Sequence, residues 1–236
     1  GRFVLAMAQS FVRGKLSNLR TLLMKHNRER GDVAIQAAVE ALGAALLRVP
    51  RTTALSSLAG VEGAATAAYF GGWKRLLKGD WKFEKRQRRP PPDPINVLLS
   101  FGYTLLAHTA QSAVEAVGLD PYAGFLHGVE YNRPSLALDL MEEFRAVVDG
   151  VVLWCCNSGE ITPGDFAPGD AERPVVMSAA ARRTFIQAYE RRMEQVIFHP
   201  HQGERLPLRR CLHAQARLIV ECIQKGQPMY RPMVFR

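Results

Sequence analysis

Four side chains stand where carboxylate and imidazole chemistry could be done. Glu62 lies in Gly60-Val61-Glu62-Gly63-Ala64-Ala65, among neighbours that offer it no polar company, so once buried it needs a cation or a metal. His127 closes Gly124-Phe125-Leu126-His127. Asp139 and Glu142 are three apart in Leu138-Asp139-Leu140-Met141-Glu142-Glu143-Phe144, which puts them roughly 60° apart on one helix stripe. Two carboxylates on a buried helix repel each other. A hard divalent ion relieves the repulsion, and one imidazole beside two or three carboxylate oxygens suits Mn²⁺ and tolerates Mg²⁺. Plainer roles exist for each residue: a packed or surface histidine, a Glu62–arginine pair, and pairing of Asp139 or Glu142 with Arg133 or Arg145. Glu143, at i+4 from Asp139, reads as a rim charge.

Other chemistries find no motif. The sequence has no HExxH, no repeated ExxH, no GxxxxGK[ST] phosphate loop and no GxSxG elbow. Cys155, Cys156, Cys211 and Cys222 form no CxxC pair, which argues against a zinc ribbon or a disulfide scaffold and fits a reducing cytoplasm. The vicinal Cys155 and Cys156 read as core. His199 and His201 flank Pro200 as a possible metal pair, with capping of a helix end the simpler role.

Charge points to a polyanion. The chain carries +9 over 236 residues. Lys74, Arg75, Lys78, Lys82, Lys85, Arg86, Arg88 and Arg89 face only Asp80 and Glu84 within their segment. Such a run tracks a phosphate backbone, and the interleaved Trp73, Trp81 and Phe83 would stack on unpaired bases. A solvated loop is the plain alternative. Two further basic clusters, Arg13/Lys15/Arg20/Lys25 and Arg205/Arg209/Arg210/Arg217, favour a nucleic-acid partner.

The elements that must position these residues are helices, because apolar residues recur at three and four and nothing alternates convincingly at two. The predicted fold is all-α and a single helical domain over 1–236, with 47% hydrophobic residues to fill its core. Helices are expected over 5–25, from an Asp32 cap to just before Pro50, briefly from Thr52, and over 61–77, where Gly63, Ala64, Ala65, Ala67 and Ala68 would let neighbours approach closely. A basic loop occupies about 79–92. Asp93-Pro94 caps and opens a helix to Val117, and 119–132 is irregular. The next helix, 134–156, is apolar on nearly all sides and bends near Gly150. A loop fills about 157–177, helices follow over 178–198 and 207–225, and the tail 228–236 is extended. The apolar runs 41–47 and 151–156 are of core length, so no membrane partner is expected. The start at Gly1, without Met, reads as a cut inside a longer polypeptide.

Four motifs in order carry a resemblance: Gly60-Val61-Glu62-Gly63-Ala64-Ala65, then Asp93 to Tyr103 (DPINVLLSFGY), then Gly118-Leu119-Asp120-Pro121 with Gly124-Phe125-Leu126-His127, then Arg133 to Arg145 (RPSLALDLMEEFR). Together they resemble the Cas1 family, the CRISPR spacer-acquisition integrase, strongly from the first helix to about Arg145 and more loosely beyond.

The resemblance implies a helical catalytic domain with one divalent ion, Mg²⁺ or Mn²⁺, held by Glu62, His127 and Glu142, with Asp139 lining the same pocket. Some relatives carry Asp at the position of Glu142. His127 ranks first as a ligand, and a general base is its alternative role. Family members carry an N-terminal β-sandwich that contributes to dimerisation, and this chain is expected to start after it; some members are fused to a Cas4 nuclease or a reverse transcriptase, and the start at Gly1 is compatible with such a fusion. The implied reaction inserts prespacer 3′-hydroxyl ends into the CRISPR repeat, alongside endonuclease activity on branched DNA. The implied setting is the prokaryotic cytoplasm. The implied partners are double-stranded DNA, Cas2, a second copy within a larger complex, and in some systems Cas4. Lys74, Arg75, Lys85, Arg86, Arg88, Arg89, Asn96, Tyr103 and Arg133 would hold DNA, with Tyr103 either close to the site or merely packing its helix. The rivals are a non-catalytic DNA-binding or assembly subunit and a repair nuclease that cleaves with water.

Overall fold

A computed structural model describes residues 1–128 and 130–235. Eight α-helices and two small hairpins are present among these residues. α1 (Arg2–Asn27) is the axle. On one side it takes α2 (Val33–Arg48) and α3 (Leu55–Trp73); on the other it takes the 3-10 turn 142–144 and α6 (Arg145–Asn157). α4 (Pro94–Ala116) packs across α5 (Ser135–Met141), α6 and α8 (Leu208–Lys225), while α7 (Ala179–Met193) lies on α6.

Local chemistry sets several boundaries. Asp32 accepts hydrogen bonds from the Ala34 and Ile35 amides and so caps α2, and Asp93 accepts from the Asn96 amide with Pro94 in the first turn of α4. α8 ends where Gly226 turns left-handed at φ 60°; Gly226 N–H donates to Ile223 O and Gln227 N–H to Cys222 O, which closes the last carbonyls. α2, extended to Arg51, is long and apolar enough by composition to cross a membrane. It instead lays Ile35, Ala38, Val39, Leu42 and Ala45 against its neighbours.

The structure departs from the periodicity in five places. Thr52 opens no helix; it ends a 3-10 turn over Val49–Arg51, and α3 begins at Leu55 and runs unbroken to Trp73. The small residues of α3 largely face outward: Gly63, Ala64 and Ala67 are exposed. The close approach is made by Gly72, where a Cβ would stand 2.7 Å from that of Ala38. The 134–156 helix breaks at the 3-10 turn Glu142–Phe144 and not at Gly150.

The fold is also not purely helical. β1 (Phe166–Pro168) pairs antiparallel with β2 (Val175–Met177) inside the predicted loop. β3 (Val196–His199) pairs antiparallel with β4 (Glu204–Pro207), replacing the last turns of the helix expected to reach 198. The tail past Gly226 has no regular structure through Phe235, as expected, and Arg236 lies outside the described residues.

That tail is nonetheless bound. Asn18 on α1 donates to Met233 O at 2.8 Å and accepts from the Phe235 amide at 2.8 Å, and the Tyr230 ring lies 4.8 Å from Phe11. Gly14 permits the contact, since a Cβ there would meet Pro232 at 2.6 Å.

Candidate active site

The break in the 135–157 helix sets the geometry. Its 3-10 turn presents Glu142 toward α1 and α3, while the last residues of α5 hold Asp139 under the loop that carries His127. Lys15, 3% exposed, reaches from α1 between the acids. Its ammonium contacts Glu62 Oε1 and stands 2.7 Å from Glu142 Oε2. Both oxygens therefore lie within twice that distance of each other. Thr66 donates to Glu62 at 2.8 Å. Arg145 closes the far side, with Nε 2.9 Å and Nη2 2.8 Å from Glu142 Oε1. Burial would push the Glu142 carboxyl up, but the Arg145 and Lys15 charges prevail and hold it well below the usual carboxylate range. Its Oε2 is buried and makes no well-angled hydrogen bond.

Asp139, fully buried, organises the histidine loop. It accepts the amide protons of Phe125, Leu126 and His127 and lies 2.7 Å from His127 Nδ1. With the carboxylate as acceptor, Nδ1 is the donor of this contact, and Asp139 thereby fixes the ring by that edge. Holding one ring nitrogen by a carboxylate leaves the other oriented for a metal or a proton. The His127 ring stands near enough to Glu142 to act electrostatically on that carboxyl.

A second buried acid sits behind the first. Asp149 on α6 accepts from Tyr103 Oη at 2.5 Å and from Tyr69 Oη at 2.7 Å. Burial raises its carboxyl to about 6, against the lowering effect of those bonds. The Tyr103 ring is flanked by Arg145 at 4.5 Å and Arg86 at 5.5 Å. A small cleft lined by Lys15, Thr66, Tyr103, Arg86, Arg88, Arg145 and Asp149 brings the basic loop beside this second acid.

Glu62, Glu142 and Lys15 are thus brought together, with His127 beside them. Among the described residues no three His, Cys, Asp or Glu side chains are gathered at ligating separation; Lys15 stands between two of the candidates. The donor types still fit a hard divalent ion: the Glu62 and Glu142 carboxylates and the His127 imidazole.

Several expectations are corrected. Glu143 is no rim charge: it is fully buried and receives Tyr230 Oη, the Met233 amide and Gln215 Nε2. Burial pushes it up to about 8, although these donors pull the other way. Asn96 is fully buried, and its amide holds the basic loop by bonds to Lys85 O, Gln87 N and Arg86. Tyr103 is buried with its hydroxyl on Asp149. Neither offers a polar atom to DNA. Trp73, Trp81 and Phe83 pack in the core and present no stacking face.

Of the other cations, Lys85, Arg88 and Arg89 are exposed, Arg86 is tied to Asn96 and Ser100, Lys74 pairs with Glu84, and Arg75 with Asp32. Arg133 pairs with Glu130 at 2.6 Å on the rim. His199 lies buried on β3 and caps no helix end; its ring accepts from the Gln202 amide. Cys155 and Cys156 are core, as expected.

Sequence reasoning placed Lys15 in a basic cluster and passed over Asp149. Both had a signal. Lys15 falls on the apolar stripe Phe11-Leu19 at i+4 from each, and Asp149 is a lone acid amid Val147, Val148, Val151 and Val152.

This arrangement of helices is shared with solved structures. A casposase bound to integration product superimposes with a TM-score of 0.84 over 97% of this chain and 63% of its own, at 21% identity. A partial Cas6-RT-Cas1–Cas2 complex does so at 0.88 over all of this chain and 70% of its own, at 29% identity.

The chain belongs to the Cas1 family: the family pattern described as CRISPR associated protein Cas1 matches residues 1–191. A Thermus thermophilus relative named CRISPR-associated endonuclease Cas1 3 is 43% identical over 98% of this chain and 67% of its own length. A Geobacter sulfurreducens Cas4/Cas1 fusion is 39% identical over 98% of this chain and 43% of its own. The chain therefore spans about two thirds of the first relative and less than half of the fusion.

Proposed function

We propose that this domain is the catalytic part of a CRISPR adaptation integrase, which joins prespacer 3′-hydroxyl ends to the CRISPR repeat by divalent-metal-dependent phosphoryl transfer. The observation that carries the reading is the convergence of Glu62 and Glu142 on one cation beside an imidazole whose Nδ1 is fixed by Asp139. Family membership agrees with it. Glu62, Glu142 and His127 Nε2 would hold the ion. When bound, Mg²⁺ or Mn²⁺ would supply electrostatic stabilisation of charge on the phosphate and its oxygens.

In this transfer the attacking 3′-oxygen forms a bond to phosphorus, the bond to the leaving 3′-oxygen breaks, and the proton lost by the first hydroxyl is balanced by one gained on the second. His127 is the alternative carrier of the incoming proton. Asp139 keeps its ring in place. Lys85, Arg88 and Arg89 would hold backbone phosphates, and Gly63, Ala64 and Ala67 are exposed near Glu62 on α3. Cas2, named in the complexes that share the fold, is the proposed partner, with a second copy of the chain and, in fused systems, Cas4. The prokaryotic cytoplasm is the proposed location.

The deciding experiment follows branched DNA with Mn²⁺ and resolves joined from hydrolysed products. Strand joining that falls but persists in Glu142→Asp supports the integrase, because the charge remains while the reach shortens by one methylene. Hydrolysis without joining would favour the repair nuclease, and binding without either product the scaffold.

A further inference from the structure

Among the described residues, Lys15 is the one cation shared by Glu62 and Glu142. With Arg145 it makes a quartet of two carboxylates and two monovalent cations, balanced in charge and largely closed to water. Adding a doubly charged ion to a balanced buried quartet leaves an excess of positive charge that low-dielectric surroundings do not screen. One of the resident cations must then give way. Arg145 is held by two contacts to Glu142 Oε1 and by the face of Tyr103 at 4.5 Å. Lys15 has a single point charge on a flexible stem. It is also the cation in contact with Glu142 Oε2, the oxygen with no well-angled hydrogen bond, and with Glu62, whose side chain is the more open of the two acids at 23% exposure against 3%. Its stem lines a small cleft together with Leu19, Thr66 and Arg88.

On the functional reading above, we propose that Lys15 is a built-in placeholder cation: it holds Glu62 and Glu142 together in the metal-free protein and is displaced from between them by the incoming divalent ion. Lys15 thereby sets the metal affinity, trading some of it for a site that is assembled beforehand.

Mn²⁺ affinity measured by titration calorimetry, alongside thermal unfolding with and without Mn²⁺, tests this on the whole protein. Lys15→Met should bind Mn²⁺ about tenfold more tightly or better, since the removed charge competed at close range, while melting lower without metal and gaining more from Mn²⁺ than the wild type gains. Lys15→Arg keeps the charge, so it serves if the methionine variant does not fold. Its two-pronged grip on carboxylates is harder to displace, and Mn²⁺ should bind several-fold more weakly.

Unchanged or weaker binding in Lys15→Met, or unchanged binding in Lys15→Arg, would overturn the proposal. A failure of the metal reading itself looks different: the wild type would then take up no Mn²⁺, or would take it up equally well after His127→Ala.

Discussion

At the scale of single residues, burial sets the proton affinities of the acids behind the site. With its carboxyl raised to about 6, Asp149 keeps a proton in the folded protein at pH values where the unfolded chain has already lost it. Its contribution to stability is full below the unfolded pKa and is lost as pH rises through 6, a change of about 3 kcal/mol between roughly pH 4 and 7. We predict that Asp149→Asn flattens that part of the stability profile, as read by urea unfolding across the window; a variant profile parallel to the wild type would contradict it. Much at this scale was legible in the sequence. Glu62 stood out because nothing near it was polar, and its need for a cation is met by Lys15 where an arginine was considered. Glu143 and Asn96 were misjudged because their partners, Tyr230 and the basic loop, are set by long-range packing that local spacing does not encode.

Among the elements, close packing and open surface are separated by which glycines have neighbours. A Cβ on Gly102 of α4 would stand 2.5 Å from Val148 Cγ1 and 3.0 Å from Phe185 Cζ, whereas one on Gly63 of α3 meets nothing within 4 Å. Gly102→Ala should therefore destabilise by about 1–3 kcal/mol, and Gly63→Ala should stabilise by up to about 1 kcal/mol as the helix propensity rises. Thermal unfolding of the two variants checks the pair, and equal shifts would contradict the packing described. Helix caps at Asp32 and Asp93 were readable because a side-chain acceptor and a following proline act locally. The break at Glu142–Phe144 was not, since it answers to α1 and the tail pressing on that turn. The hairpin β3–β4 had a signal in Val196-Ile197-Phe198 before a turn at Gly203, but four residues are too few to outweigh the helical run preceding them.

For the whole molecule, the basic loop leaves Lys85, Arg88 and Arg89 exposed, and Arg88 lines the cleft it shares with Lys15 and Arg145. Changing all three to Gln should reduce the slope of log affinity against log salt by about one for each phosphate no longer neutralised, with little effect on sequence preference. An unchanged slope would leave that loop merely solvated. The helical class and the order of the four motifs were evident from the sequence and agree with the family, while the aromatic rings of the same loop turned out to anchor it. The most direct test of the account is strand joining by the protein together with the proposed Cas2 partner, comparing wild type with His127→Ala at equal DNA occupancy. Since His127 would act on the transition state more than on bound DNA, joining should be abolished while DNA affinity stays nearly intact; a His127→Ala protein that joins as well as the wild type would contradict the metal-dependent integrase outright.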